Sequence, residues 1–419
     1  MKTLIFGAGA SIPFFDPILS TSFLTEKIYN KEEWEEVISK YKSLKGDKYV
    51  LADTELVFKI LSAIKRFRPE ANFEEIAEVI DKIGSYGNDS VPAHNMFNTI
   101  IGVMNTGFIP SQPFPFGSEL TAVPFLLREI IAKSIIDLQN NHQSKEHDIF
   151  LSLQRDFISD ICQKDDNVNI MSLNYDECVL KSLEGLGFEK GFKRKDERYL
   201  MQLDIVSFMN AKKVIYFPHG NLRFQFTDND NVTYWNDANV AEHERWEGLR
   251  QGCVGSTLTY LGGKFAYNYN TFISTGQTKE DGLNHLPYSI YYQRFGSDIF
   301  NSDTIYIIGY SFGDEHINRM LRSFIELSQK NKIFIIDYYT KEVTGTEEYK
   351  DQKNFITRLY SVFGPDWGVM YNRDIQQTEP INPVEIQKIN SQGYGEIFKQ
   401  ITLYKKGYSE FLREYKNVI

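Results

Sequence analysis

Five short apolar runs, at residues 2–6, 168–173, 213–217, 304–308 and 333–337, each break off into glycine or a polar cluster. No other feature restricts the fold as tightly. Short runs that are apolar throughout, rather than at alternate positions, belong to strands buried on both faces, and such strands occur in parallel sheets covered by helices. The intervening chain supplies helices. Phe73, Ile76, Ala77, Ile80 and Ile83 recur at steps of three and four, residues 124–140 carry a similar stripe, and HINRMLRSFIELSQ follows the fourth run. The reading is an α/β chain with a Rossmann-like, doubly wound parallel sheet. In such sheets ligands sit beyond the carboxyl ends of the strands. The clusters Gly7–Ser11, Asn174–Asp176, His219–Gly220 and Gly309–Ser311 are therefore expected to meet at one site.

The spacing of the runs sets the domain plan. Residues 1–340 are expected to form one catalytic domain. Within it lie a large helical insertion at about 20–165 and a small irregular excursion, rich in Asn, Asp and Gly, at about 221–270. The proline-rich IPSQPFPFGSE at 109–119 reads as a loop. Residues 341–419 read as a helical C-terminal extension for assembly or regulation.

The opening MKTLIFGAGASIPF fits either a cleavable signal or a first strand running into a glycine turn. Its apolar segment Leu4-Ile5-Phe6 stops at Gly7, short of the roughly 7–15 apolar residues of a signal core. The strand-and-turn reading wins, and with it a cytoplasmic location. Three scattered cysteines, Cys162, Cys178 and Cys253, form neither a CxxC pair for zinc nor a disulfide framework. The balance of 46 basic and 56 acidic residues, net −10, disfavours autonomous binding to nucleic acid or an anionic membrane. No apolar run reaches the roughly 18 residues that a membrane helix needs.

Each cluster has a structural and a chemical reading. Gly7 and Gly9 permit a tight turn and a close backbone approach to a pyrophosphate, but GAGAS lacks the third glycine of GxGxxG, since Ile12 stands there. Asn174 and Asp176 suit helix capping, or else a water, carboxamide or ribose. His219, in Pro-His-Gly directly after a strand, suits proton transfer near neutral pH or a hydrogen-bonded turn. Gly309-Tyr310-Ser311 reads as a plain turn or a ribose or phosphate contact, with Asp314 capping the next helix. The remaining histidines, His316 among them, show no metal spacing and read as structural.

In this order, GAGAS at 7–11, SLNYD at 172–176, PHG at 218–220 and GYS at 309–311 resemble the sirtuin superfamily over residues 1 to about 340. IIGYSFGDEHIN, with ISTGQTKED upstream, is more similar to the sirtuin-like domains of bacterial antiphage defence systems than to protein deacetylases, whose four-cysteine zinc module three scattered cysteines cannot build. The resemblance implies an NAD-consuming, metal-free site. Asn174 would position the nicotinamide ribose and the attacking water, and His219 would act as general base. Asp176 would hold the nicotinamide end. Gly7, Ala8, Gly9, Ala10, Gly220, Gly309 and Tyr310 would line the dinucleotide, with Ser11 and Ser311 on phosphate or ribose. It further implies hydrolysis of NAD to nicotinamide and ADP-ribose in antiviral defence, under control of a trigger, by a homo-oligomer or beside an ATPase of the HerA type. An NAD or ADP-ribose sensor, a scaffold subunit and an NAD-dependent protein deacylase are the alternatives.

Overall fold

The computed structural model describes residues 1–45, 54–86, 123–193, 200–226, 233–236, 257–261, 264–268, 286–340, 343, 355–363 and 383–419. All five apolar runs become strands of one sheet: β1 (Lys2–Phe6), β2 (Val168–Ser172), β3 (Lys213–Tyr216), β4 (Thr304–Ile308) and β5 (Lys332–Ile336). Two more strands, β6 (Tyr394–Phe398) and β7 (Ile401–Tyr404), complete seven in the order β6-β7-β5-β4-β1-β2-β3. Every pairing is parallel except the hairpin of β6 with β7. The chain thus winds outward from β1 through β2 to β3, then returns to the other side of β1 with β4. That reversal lies between β1 and β4, and open sheets of this topology form their ligand crevice there. The architecture is mixed α/β, a largely parallel sheet flanked by helices, and is compatible with a Rossmann-like fold.

Register aligns the strand ends. Phe6 stands opposite both Ser172 and Ile308, and Ile308 stands opposite Ile336. The segments that follow therefore leave the sheet along one edge. Leu4, Ile5 and Phe6 are fully buried, as are Val168, Ile170 and Met171, which is why these strands read as continuous apolar runs.

Among the described residues, six α-helices lie between β1 and β2, at Thr21–Tyr29, Lys31–Lys45, Thr54–Phe67, Phe73–Tyr86, Val123–Asn141 and His147–Lys164. Their buried stripes are those of the sequence, with Phe73, Ile76, Ala77 and Ile80 on one helix and Leu126, Ile130, Ile131 and Ile135 on another. The loop at 109–119, the segment ISTGQTKED and Cys253 lie outside the described residues. Cys162 and Cys178 are free thiols.

Two expectations need correction. The C-terminal part is not a helical extension alone, because β6 and β7 within it extend the central sheet. Its terminal helix Tyr408–Glu414 also packs on the sheet-covering helix His147–Lys164, where Tyr408 Oη donates to Gln154 Oε1 (3.0 Å) and Phe411 packs edge-on to Phe157. The excursion at 221–270 is not simply irregular either. Phe224–Phe226 and Thr233–Asn236 pair, and join Phe192–Lys193 and Leu200–Leu203 in a small sheet. Trp235 is fully buried there among Phe192, Phe217 and Phe224. Strands of three or four residues are too short to carry a legible alternation. Among the described residues no helix is long and apolar enough to cross a membrane.

Candidate active site

The floor of the site is set by glycine. Gly7 N donates to Ile308 O (2.8 Å), Gly9 N to Gly309 O (2.9 Å) and Ala10 N to Gly7 O (2.9 Å). The turn after β1 is thereby locked against the turn after β4. A Cβ on Gly309 would come within 2.2 Å of Ala10 N, one on Gly7 within 2.6 Å of Gly309 O, and one on Gly9 within 2.7 Å of Gly309 Cα. Gly309 also adopts φ +61°, the left-handed region that side chains disfavour. These glycines are therefore required by backbone packing, and the amides of Gly7, Gly9 and Ala10 are committed within the protein.

On this floor stands a polar chain whose donors all point one way. Asn174 Nδ2 donates to Gly7 O and to Ser11 Oγ, both at 2.9 Å. Ser11 Oγ donates to Asp176 Oδ2, and Asp176 Oδ1 accepts from Cys178 N (2.9 Å). All three side chains are buried. Asp176, one residue before the N-cap Glu177, thus accepts from the first amide of the short helix Cys178–Ser182 and anchors Ser11 as well. With both amide hydrogens of Asn174 committed, the atom it offers a ligand is the acceptor Oδ1.

His219 follows β3 through a tight turn closed by Gly220, which has φ +97° and whose N donates to Phe217 O (3.0 Å). Its Nε2 lies 3.6 Å from Asp314 Oδ1. Asp314 opens the helix Glu315–Leu327, as expected, but its side chain makes no capping hydrogen bond. His219, Asp314 and His316 each bring a titratable atom within 4.8 Å of the others. The Nε2 of His316 is hydrogen-bonded to Tyr292 Oη (2.8 Å). Tyr310 braces the same loop, its hydroxyl accepting from Asp314 N (3.0 Å). Burial, then the nearby Asp314 carboxylate, pushes the Tyr310 phenol well above its ordinary range and keeps it a donor.

These groups border one cavity of about 630 Å³, a volume typical of ligand sites. Of the expected residues, Gly7, Ala8, Ser11, Asn174, Asp176, His219, Tyr310 and Ser311 line it. Gly9, Ala10, Gly220 and Gly309 do not. They shape the turns beneath. Sequence reading missed the roof, to which Phe73, Glu74, Glu75 and Glu78 come from one helix and Arg358 from the helix Phe355–Phe363. Arg358 Nη1 donates to Ser311 O (3.1 Å), which holds a guanidinium at the rim. It also missed Asp314 as a partner of His219. The motif GDEHIN contained that signal, but capping accounted for the aspartate there.

The lining carries five carboxylates, of Asp176, Asp314, Glu74, Glu75 and Glu78, against the guanidinium of Arg358. Such a wall favours positive charge in the middle of the cavity and leaves one handle for an anion at its edge. No family model matches the chain, and no curated protein matches it significantly.

Proposed function

We propose that this chain is a sirtuin-like NAD hydrolase, cleaving NAD to nicotinamide and ADP-ribose. The observation that carries the reading is the meeting of Asn174 and His219, from the ends of β2 and β3, in one carboxylate-rich cavity at the reversal point of the sheet. Departure of nicotinamide breaks the bond between its ring nitrogen and ribose C1′, and positive charge develops on the ribose. The charge that the pyridinium ring carries in the ground state thereby shifts onto the ribose. Carboxylates placed nearer the ribose than the ring stabilise it more after the shift than before, which is the condition for catalysis. Water then adds to C1′, one of its O–H groups donating to Asn174 Oδ1 and the other proton taken by His219, and that proton finally passes to solvent. Arg358, beside Ser311, meets the pyrophosphate. Asn174, held on two sides, needs no reorganisation as the reaction proceeds.

The biological setting rests on the motifs at 7–11, 172–176, 218–220 and 309–314. It is a cytoplasmic enzyme of antiphage defence that depletes NAD when triggered, working as a homo-oligomer or beside a HerA-type ATPase. The test is chromatography of NAD incubated with purified protein. Equal molar release of nicotinamide and ADP-ribose supports the reading. Binding of NAD without release turns it into a sensor, and transfer of an acyl group from a modified peptide turns it into a deacylase.

A further inference from the structure

We infer that Asp314 positions His219, and that the loop from Gly309 to Asp314 is shaped to present that carboxylate to the imidazole. The inference rests on the reading of the cavity as an NAD-cleaving site. Asp314 occupies the N-cap of the helix Glu315–Leu327, where an aspartate ordinarily turns its carboxylate back onto the amides of the first turn. Ser20 and Asp204 do so at the starts of their own helices, accepting from Phe23 N and Ser207 N. Asp314 does not. Its carboxylate lies 3.6 Å from His219 Nε2 instead, with the two side chains only 13% and 4% exposed.

The loop backbone is fixed around this choice. Tyr310 Oη accepts from Asp314 N (3.0 Å) and reaches Asn318 Oδ1 (3.1 Å), while Asn318 Nδ2 donates to Phe312 O (3.0 Å). Phe312 itself adopts φ +57°, a left-handed conformation unfavourable for a residue with a side chain. A clamp and a strained residue thus hold the aspartate off its own helix and against the histidine.

The consequence is chemical. Neutral imidazole carries one N–H. At 3.6 Å the carboxylate stands just beyond hydrogen-bond reach of the buried Nε2, and its charge favours the tautomer with that proton on Nε2. A shift of a few tenths of an ångström would close the bond. Nδ1 then holds the basic lone pair, and the cation formed when it takes a proton is stabilised by the same carboxylate. Asp314 never needs to touch the substrate.

The test compares Asp314→Asn and Asp314→Glu with the parent in NAD turnover. The expected result for Asp314→Asn is a loss of at least about 100-fold in kcat with KM within about threefold of the parent. Loss of the orienting carboxylate in a hydrogen-bonded Ser-His-Asp triad costs about 10⁴-fold, and the longer 3.6 Å approach here sets the smaller bound. Its unfolding midpoint should stay near the parent's, and Asp314→Glu should recover part of the rate. A kcat for Asp314→Asn within threefold of the parent would overturn the inference. A second readout does not depend on turnover: nitrogen NMR of 15N-histidine-labelled protein, with the His219 signals identified by their loss in His219→Gln. The parent should show the Nε2–H tautomer and Asp314→Asn a mixture, whereas identical spectra overturn the positioning role. A parent that binds NAD without cleaving it removes the hydrolase reading, and the nitrogen spectra still decide whether Asp314 sets the tautomer.

Discussion

The floor and the roof of the cavity are built on different principles. The floor consists of strand ends whose backbones interlock through Gly7, Gly9 and Gly309, and Asn174 is held there by buried hydrogen bonds to Gly7 O and Ser11 Oγ. The roof consists of helices that pass over the sheet edge and contribute Phe73, three glutamates and Arg358. Floor geometry follows from β-sheet register and tolerates almost no change. Roof geometry follows from helix packing, which accommodates shifts more readily. On the proposed reading, the floor carries the chemistry and the roof selects the ligand.

The largest effect is expected where the floor is broken directly. Gly309→Ala places a Cβ 2.2 Å from Ala10 N at φ +61°, and should cost about 4 kcal/mol or more, reaching loss of folded protein. Gly313→Ala, four residues on, meets nothing closer than Ser311 Oγ at 3.7 Å and should stay within about 0.5 kcal/mol. Chemical denaturation of the two variants checks the contrast, and equal stabilities would break it.

The roof has its own buried tie. Arg128 donates to both carboxylate oxygens of Asp81 at 2.8 and 2.7 Å, joining the helix Val123–Asn141 to the helix Phe73–Tyr86, with both side chains almost wholly buried. Arg128→Met leaves a buried charge without this partner and should cost about 3–5 kcal/mol. If roof and floor differ as argued, the folded fraction of that variant keeps kcat while KM for NAD rises. A fall in kcat at unchanged KM would erase the distinction.

A smaller change sharpens it. Arg358→Ala removes the guanidinium beside Ser311 and should raise KM about tenfold, or about 1.4 kcal/mol, with kcat preserved. Steady-state kinetics decides it.

A pH-dependent effect concerns the strand next to the floor. Burial pushes the Asp337 carboxyl, at the end of β5, up to about 7 from an ordinary 3.8. The fold therefore favours its protonated form. The resulting stabilisation is complete below about pH 4 and is lost as pH rises through 7. Asp337→Asn should show little difference from the parent in unfolding midpoint below about pH 4 and a higher midpoint at about pH 8, with the gap opening between them. A gap that closes with rising pH would contradict the sign.

How much of this was legible before the structure follows from the same contrast. β1 to β5 declared themselves because strands buried on both faces are apolar at every position. The ends of those strands carried Asn174, Asp176 and His219 into view, since topology alone brings strand ends together. β6 and β7 escaped notice because they lie toward the edge, where the half-exposed YGEIF mixes glycine and glutamate with apolar residues. The roof was invisible for a deeper reason. Glu74 and Arg358 line one cavity only because two helices remote in sequence return over one sheet edge, and no local pattern records such a convergence. Asp314 was seen but misassigned, because capping is what an aspartate before a helix ordinarily does. Ser11 was expected on phosphate or ribose; what no local pattern showed is that its hydroxyl also links Asn174 to Asp176.

The most direct measurement follows binding and cleavage of NAD on the same samples of parent, His219→Ala and Asn174→Ala, by calorimetry and by nicotinamide release. The account predicts that the parent binds and cleaves, that His219→Ala binds with similar affinity and releases nicotinamide at least about 100-fold more slowly, and that Asn174→Ala loses cleavage along with some stability. Cleavage by His219→Ala at the parental rate, or a folded parent that neither binds nor cleaves NAD, would contradict it.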